Sequence, residues 1–175
     1  MPTTKRSLLV SMSRPVLACV VLVFLVLGMG THARTQVWRS NLTLWTDAAR
    51  KSPNKPRPFI NLGLAQEEIG DLDAALRSHS TSLSLAFQPR LTQYQQAFSR
   101  VASETNIARV LAQTGREEAA LRILNDVVAR HPLFPHSRWN RGVLLARLGR
   151  CHEGDADRQI AAALDPSFPT LECAK

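Results

Sequence analysis

Asn106–Gly115 (NIARVLAQTG) and Asn140–Gly149 (NRGVLLARLG) share one pattern: an asparagine, a small residue two positions on, aliphatic residues, and a closing glycine. The two glycines stand 34 residues apart. A third copy, Asn61–Gly70 (NLGLAQEEIG), lies upstream. A fixed period of roughly 20–50 residues marks a stacked-repeat architecture, in which each unit buries its apolar face on its neighbours. In each copy the glycine ends a helix, where the chain turns through left-handed backbone that disfavours a side chain.

The chain around these copies supports helix pairs. From Pro56 it supplies Phe59, Leu62, Gly63, Gly70 and Ala75, ending at Pro89. From Val101 come Ile107, Ala108, Leu111, Gly115, Ala120, Leu124, Val127 and Pro132. From Pro135 come Trp139, Gly142, Leu145, Gly149, Ala161 and Pro166. Small residues at Gly63, Ala108 and Gly142 let paired helices approach closely. Leu44, Trp45, Ala48 and Pro53 fall on the phase of a second helix and its closing proline, so a half-repeat precedes the first full one. Gly70 and Gly115 are 45 residues apart, 11 more than the period. Leu91, Tyr94, Phe98 and Val101 recur at helical spacing through that excess. It reads as a first helix lengthened at its start with Pro89 near its first turn, or as a separate short helix.

Between Arg14 and Arg34 no residue is charged, and Val16 to Leu27 is unbroken apolar sequence. Residues 15–33 are close to the roughly 20 needed to cross a bilayer as a helix. A cleaved secretory signal is the competing reading, with Thr31-His32-Ala33 as a weak cleavage site. Basic residues flank the segment on both sides, so the positive-inside comparison is nearly balanced. Either reading carries the repeats out of the cytoplasm, on a single-pass anchor or as a secreted or periplasmic protein. The expected organisation is therefore a cytoplasmic N-terminus over 1–14 and a transmembrane helix or signal anchor over 15–33. A capping half-repeat follows over 37–55, then repeats over 56–89, 101–134 and 135–168. Residues 90–100 are the insertion and 169–175 a tail. The fold class is all-α: a transmembrane helix followed by a helix-turn-helix solenoid of about three repeats.

The net charge is +8 with a pI near 10.4, and aromatic residues make up only 6% of the chain. The basic residues are scattered among acids, as in Arg116-Glu117-Glu118, and lack a run with interleaved aromatics, which argues against nucleic-acid binding. Asp155 and Asp157 read as solvated charge on different sides of a helix. No phosphate-cradling glycine loop, nucleophile elbow or converging metal-ligand set is present, so neither enzyme chemistry nor a cofactor nor a metal is expected. In an oxidising compartment Cys151 and Cys173 form the one natural soluble pair; the alternative is two free thiols.

These residues resemble the tetratricopeptide repeat (TPR) family from about Asn41 to Pro169. The run from Val37 to Gly63 (VWRSNLTLWTDAARKSPNKPRPFINLG), just after an apolar span, also looks like the junction in transmembrane and tetratricopeptide repeat-containing proteins. In those proteins many spans form a membrane glycosyltransferase domain; this chain departs from them, with one span and no acidic loop between early spans. The resemblance implies a module for protein–protein interaction, whose concave face is built from the first helix of each pair. An accessory segment that recruits acceptor protein to such a glycosyltransferase is the alternative.

The resemblance also implies that an asparagine on each first helix meets the backbone of a bound peptide. By motif phase these are Asn61, Asn106 and Asn140. A side-chain amide both donates and accepts, so it pairs with a peptide unit whatever the side chains. The same inner phase holds Arg57, Ile60 and Leu64, then Thr105, Arg109 and Gln113, then His136, Trp139 and Arg147. The arginines favour acidic side chains or a carboxylate. The expected peptide-binding set is thus Asn61, Asn106, Asn140, Arg57, Leu64, Arg109, Trp139 and Arg147. At the far end, Ile160, Ala163 and Leu164 have no solvating helix after them. Phe168 and Leu171 are expected to fold back over this end, or else it is a homodimer surface.

Overall fold

The computed structural model describes residues 14–169. Among them are eight helices and no strand: α1 (Arg14–Val37), α2 (Asn41–Lys51), α3 (Pro56–Glu68), α4 (Leu72–Leu85), α5 (Gln93–Gln113), α6 (Glu117–Arg130), α7 (Pro135–Arg147) and α8 (Cys151–Leu164). Local sequence chemistry sets where they begin. Pro56 and Pro135 open α3 and α7 at positions where a missing N–H costs nothing. Ser40 and Thr92 cap α2 and α5, each in a reciprocal box with Thr43 and Gln95. Asp71 caps α4 by accepting from the Ala74 N–H at 3.0 Å.

The three repeat glycines close the inner helices in one geometry. Gly70, Gly115 and Gly149 have φ of 79°, 78° and 77°. The next residue reaches back each time: the Asp71, Arg116 and Arg150 N–H groups donate to the Gln66, Leu111 and Leu145 carbonyls at 2.9, 2.8 and 2.9 Å. This turn satisfies carbonyls that a helix end leaves open and reverses the chain in a few residues.

Helices α3 and α4, α5 and α6, and α7 and α8 pack as hairpins, and α2 lies against α3. The first helices of the pairs touch in sequence, α3 on α5 and α5 on α7, and so form one inner row. Ala108, Leu111, Ala112, Ala120, Leu124 and Leu144 make the buried centre of the stack. Close approach depends on glycine where α7 crosses α8: a Cβ on Gly154 would lie 2.6 Å from the Gly142 carbonyl oxygen.

Of the two readings of the insertion, the fold has the lengthened first helix: α5 is one continuous helix of 21 residues against 13 in α3 and α7, with Pro89 just ahead of its Thr92 cap. Other expectations are changed. Asp157 is not solvated: it is 4% exposed and accepts from Arg138 Nη1 at 3.0 Å and from Arg141 Nε and Nη2 at 2.5 and 2.8 Å. One carboxylate thereby ties two α7 arginines to α8. The Phe168 ring packs on His136 and Trp139 of α7. Ile160 and Leu164 stay partly exposed. Leu171 and Cys173 lie outside the described residues.

Helix α1 stands apart and touches only α2 among the described elements. It is long and apolar enough to cross a membrane, with mean hydropathy 2.3 over its most apolar window and none of that window buried. Its end is tied to the solenoid through Asp47. That carboxylate accepts from Arg34 at 2.9 Å, Arg50 at 2.9 Å and Lys51 at 2.7 Å. Hydrogen bonds from Lys51 and Arg50, the largest influences, hold its pKa well below the usual carboxylate range.

Candidate functional site

The inner row forms the floor of a groove of about 1660 Å³. Helix α3 contributes Arg57, Ile60, Asn61 and Leu64, α5 contributes Thr105, Asn106 and Arg109, and α7 contributes His136, Trp139 and Asn140. Asn61, Asn106 and Asn140, the outer two 79 positions apart, therefore line one cavity. Of the remaining expected residues, Arg57, Leu64, Arg109 and Trp139 line it too.

Arg147 does not line it. Its guanidinium donates to Glu117 Oε1 at 2.7 Å and to the Ala112 carbonyl at 3.4 Å, so it bridges to the α5–α6 turn. Gln113 is likewise absent from the lining. Both lie two helical turns beyond their repeat's asparagine, on the stretch of inner helix that runs past the groove. Motif phase gives the face of a helix but not how far along it the cavity extends.

The three amides differ. Asn106 Oδ1 accepts from Arg109 Nη2 at 3.2 Å, and the same nitrogen donates to Glu67 Oε1 at 2.9 Å. Glu67 Oε1 also pairs with Nε2 of His79, a fully buried ring packed against Gly63. Asn106 is thus anchored to the repeat interior. The side-chain amides of Asn61 and Asn140 make no hydrogen bond with the described residues. The Thr105 hydroxyl and Arg109 Nε, both in the lining, are buried without a partner.

Much of the groove is built by residues that the repeat motif does not flag. The start of α5 contributes Tyr94, Gln95, Phe98, Ser99 and Ala102, and the turn between α2 and α3 contributes Lys51 to Lys55. Arg90 joins the two regions, donating to Gln88 Oε1 at 2.6 Å and to the Asn54 carbonyl at 3.3 Å. Aromatic rings run along the other side: Tyr94 on Phe98, Phe98 on Phe134, Phe134 on His136, and Phe168 on both His136 and Trp139, with centroids 5.0–6.4 Å apart. Tyr94 is 78% and Phe98 47% exposed. Among the described residues no three His, Cys, Asp or Glu side chains converge as a metal site would require.

No protein-family model matches the chain, and no curated protein matches it in sequence. Its structure is similar to TTC0263, a thermophilic TPR protein of Thermus thermophilus, with TM-score 0.53 and 24% identity, over 71% of this chain and 64% of that one. It also matches MamA 41-end from Desulfovibrio magneticus RS-1, with TM-score 0.49 and 24% identity, over 80% and 75% of the two chains. A third match, YrrB, a TPR protein with an unusual peptide-binding site, has TM-score 0.34 and 16% identity over 70% and 75%. With the repeat geometry described above, the likeness to TTC0263 shows that the chain has the tetratricopeptide-repeat fold, an all-α solenoid preceded by an apolar N-terminal helix.

Proposed function

We propose that the protein is a membrane-anchored interaction module that holds an extended segment of a partner protein in its concave groove and carries no chemistry of its own. The observation that carries this reading is the convergence of Asn61, Asn106 and Asn140 on one open cavity, with two of the amides unengaged among the described residues. An amide that can both donate and accept pairs with peptide backbone irrespective of sequence, and extended chains present that backbone at regular intervals.

The anchor rests on α1. Its 24 residues span about 36 Å at 1.5 Å each, enough for a hydrocarbon core about 30 Å thick. Its apolar side chains find no partner in the solenoid, and an apolar surface of this extent is costly in water. Trp38, 63% exposed and with Arg34 over its ring at 5.9 Å, suits the membrane interface. Tethering raises the effective concentration of the groove toward partners at the same membrane.

The test places a photo-crosslinking residue at Asn140, inside the groove, and at Arg122, exposed on α6, in full-length protein in its membrane. The expected result is a crosslinked partner from position 140 only, weakened when Asn61 becomes alanine, with thermal unfolding unchanged because the Asn61 amide holds no other described residue. Equal capture from both positions, or capture insensitive to that substitution, overturns the reading.

A further inference from the structure

The ligand class follows from the charge and aromatic pattern of the lining, given the groove reading above. Among the described residues five cations line the groove, Lys51, Lys55, Arg57, Arg90 and Arg109, and no aspartate or glutamate does. Two of the cations are neutralised, Lys51 by Asp47 and Arg109 by Glu67. The other three are not. Arg90 bonds only neutral oxygens, and Lys55 and Arg57 are exposed and form no ion pair among the described residues. All three sit at the α3 side, on the turn before α3, in its first turn, and on the loop before α5. The aromatic rings run from the start of α5 across to α7 and Phe168.

We propose that the groove selects a bipartite peptide, with an acidic stretch lying over Lys55, Arg57 and Arg90 and aromatic or leucine-type side chains lying against Tyr94, Phe98 and Trp139. Cations without counter-charge beside a partly enclosed groove attract carboxylates and repel basic segments. The exposed rings of α5 and those of α7 offer apolar burial and edge-to-face stacking. Three inner helices at 8–10 Å spacing span about 20 Å, the reach of about six extended residues. The inserted stretch is what adds this selectivity to a sequence-tolerant amide floor, since Arg90, Tyr94 and Phe98 all belong to it.

The experiment measures fluorescence anisotropy of full-length protein in detergent micelles with blocked, fluorescein-labelled octapeptides. One carries three aspartates followed by two phenylalanines; the others replace the aspartates by asparagine or by lysine. Expected is about tenfold tighter binding of the aspartate peptide than the asparagine peptide, given a modest gain per exposed charge pair, and a difference that shrinks with salt. The Lys55→Ala, Arg57→Ala, Arg90→Gln triple variant should bind both peptides alike, while Phe98→Ala weakens both by a similar factor. Equal affinity for aspartate and asparagine peptides in wild type, with sensitivity to Asn61→Ala and Asn140→Ala, overturns the acidic preference and leaves the groove reading standing. Binding of none of the peptides overturns both. Phosphatidylglycerol vesicles are added as competitor: if they displace the aspartate peptide at matched charge, the cations serve a lipid surface and the proposal falls.

Discussion

A single residue shows how this fold spends its small side chains. Gly63 faces His79, whose ring atoms would lie 2.4–2.7 Å from a Cβ built there. His79 is fully buried and held by Glu67 at 2.8 Å, so it has no room to swing away. Gly63→Ala should therefore destabilise by about 2 kcal/mol through overpacking and lower the melting temperature by about 5 °C or more. If the clash is the cause, adding His79→Ala will cost less than the two separate effects combined, as a thermal double-mutant cycle would measure. Additive effects would refute it. A glycine two positions after a motif asparagine is visible in sequence as a close helix contact; that its neighbour is a histidine on the next helix is not.

At the level of elements, two contacts decide how helices are held. Asp157 of α8 binds both Arg138 and Arg141 of α7. Removing it by Asp157→Ala leaves two largely covered guanidinium groups without a counter-charge, which should cost about 3 kcal/mol. Thermal melts in detergent will read the loss, and Arg138→Ala alone should cost distinctly less because Asp157 keeps Arg141. An aspartate and an arginine 16 positions apart carry no mutual signal in the chain, which is why solvated charge was the natural expectation. Helix α5 owes its start to Thr92 and Gln95, which satisfy each other's backbone N–H groups. Thr92→Ala should fray the first turn at about 1 kcal/mol and increase hydrogen exchange there. Exchange at α7 should be unaltered, since its Pro135 start is independent of that cap. The aromatic periodicity of this stretch was legible, but its use as a groove wall depends on α7 and Phe168 arriving beside it.

At the scale of the whole molecule, Asp47 links the apolar helix to the solenoid. Its depressed pKa in the folded state means that its contribution is complete at neutral pH and is lost as pH falls through and below the ordinary carboxylate range. Acidification should therefore release Arg34 from Asp47 and change the emission of the adjacent Trp38 in a Trp45→Phe, Trp139→Phe background. Asp47→Asn should show the acid-like emission at pH 7 and abolish most of the response, which separates it from titration of Asp126 or Glu153, also lowered by arginine hydrogen bonds. A response unchanged by Asp47→Asn would sink the assignment.

The periodic part of this protein was decided by sequence alone, because helix phase, glycine turns and proline starts are local: each needs only neighbours within about two turns. The 34-residue spacing of Gly115 and Gly149, the apolar helix and the shared phase of three asparagines all follow from it. Tertiary structure decided the rest. The turn from Lys51 to Lys55 becomes a groove lip only because Arg90 reaches Asn54 across 36 positions. Arg109 is neutralised only because Glu67 lies opposite it, 42 positions away, and Arg147 leaves the site because Glu117 stands beyond its end. Which charges are cancelled and which face a ligand is a property of pairs distant in the chain, and a one-dimensional period carries no record of them.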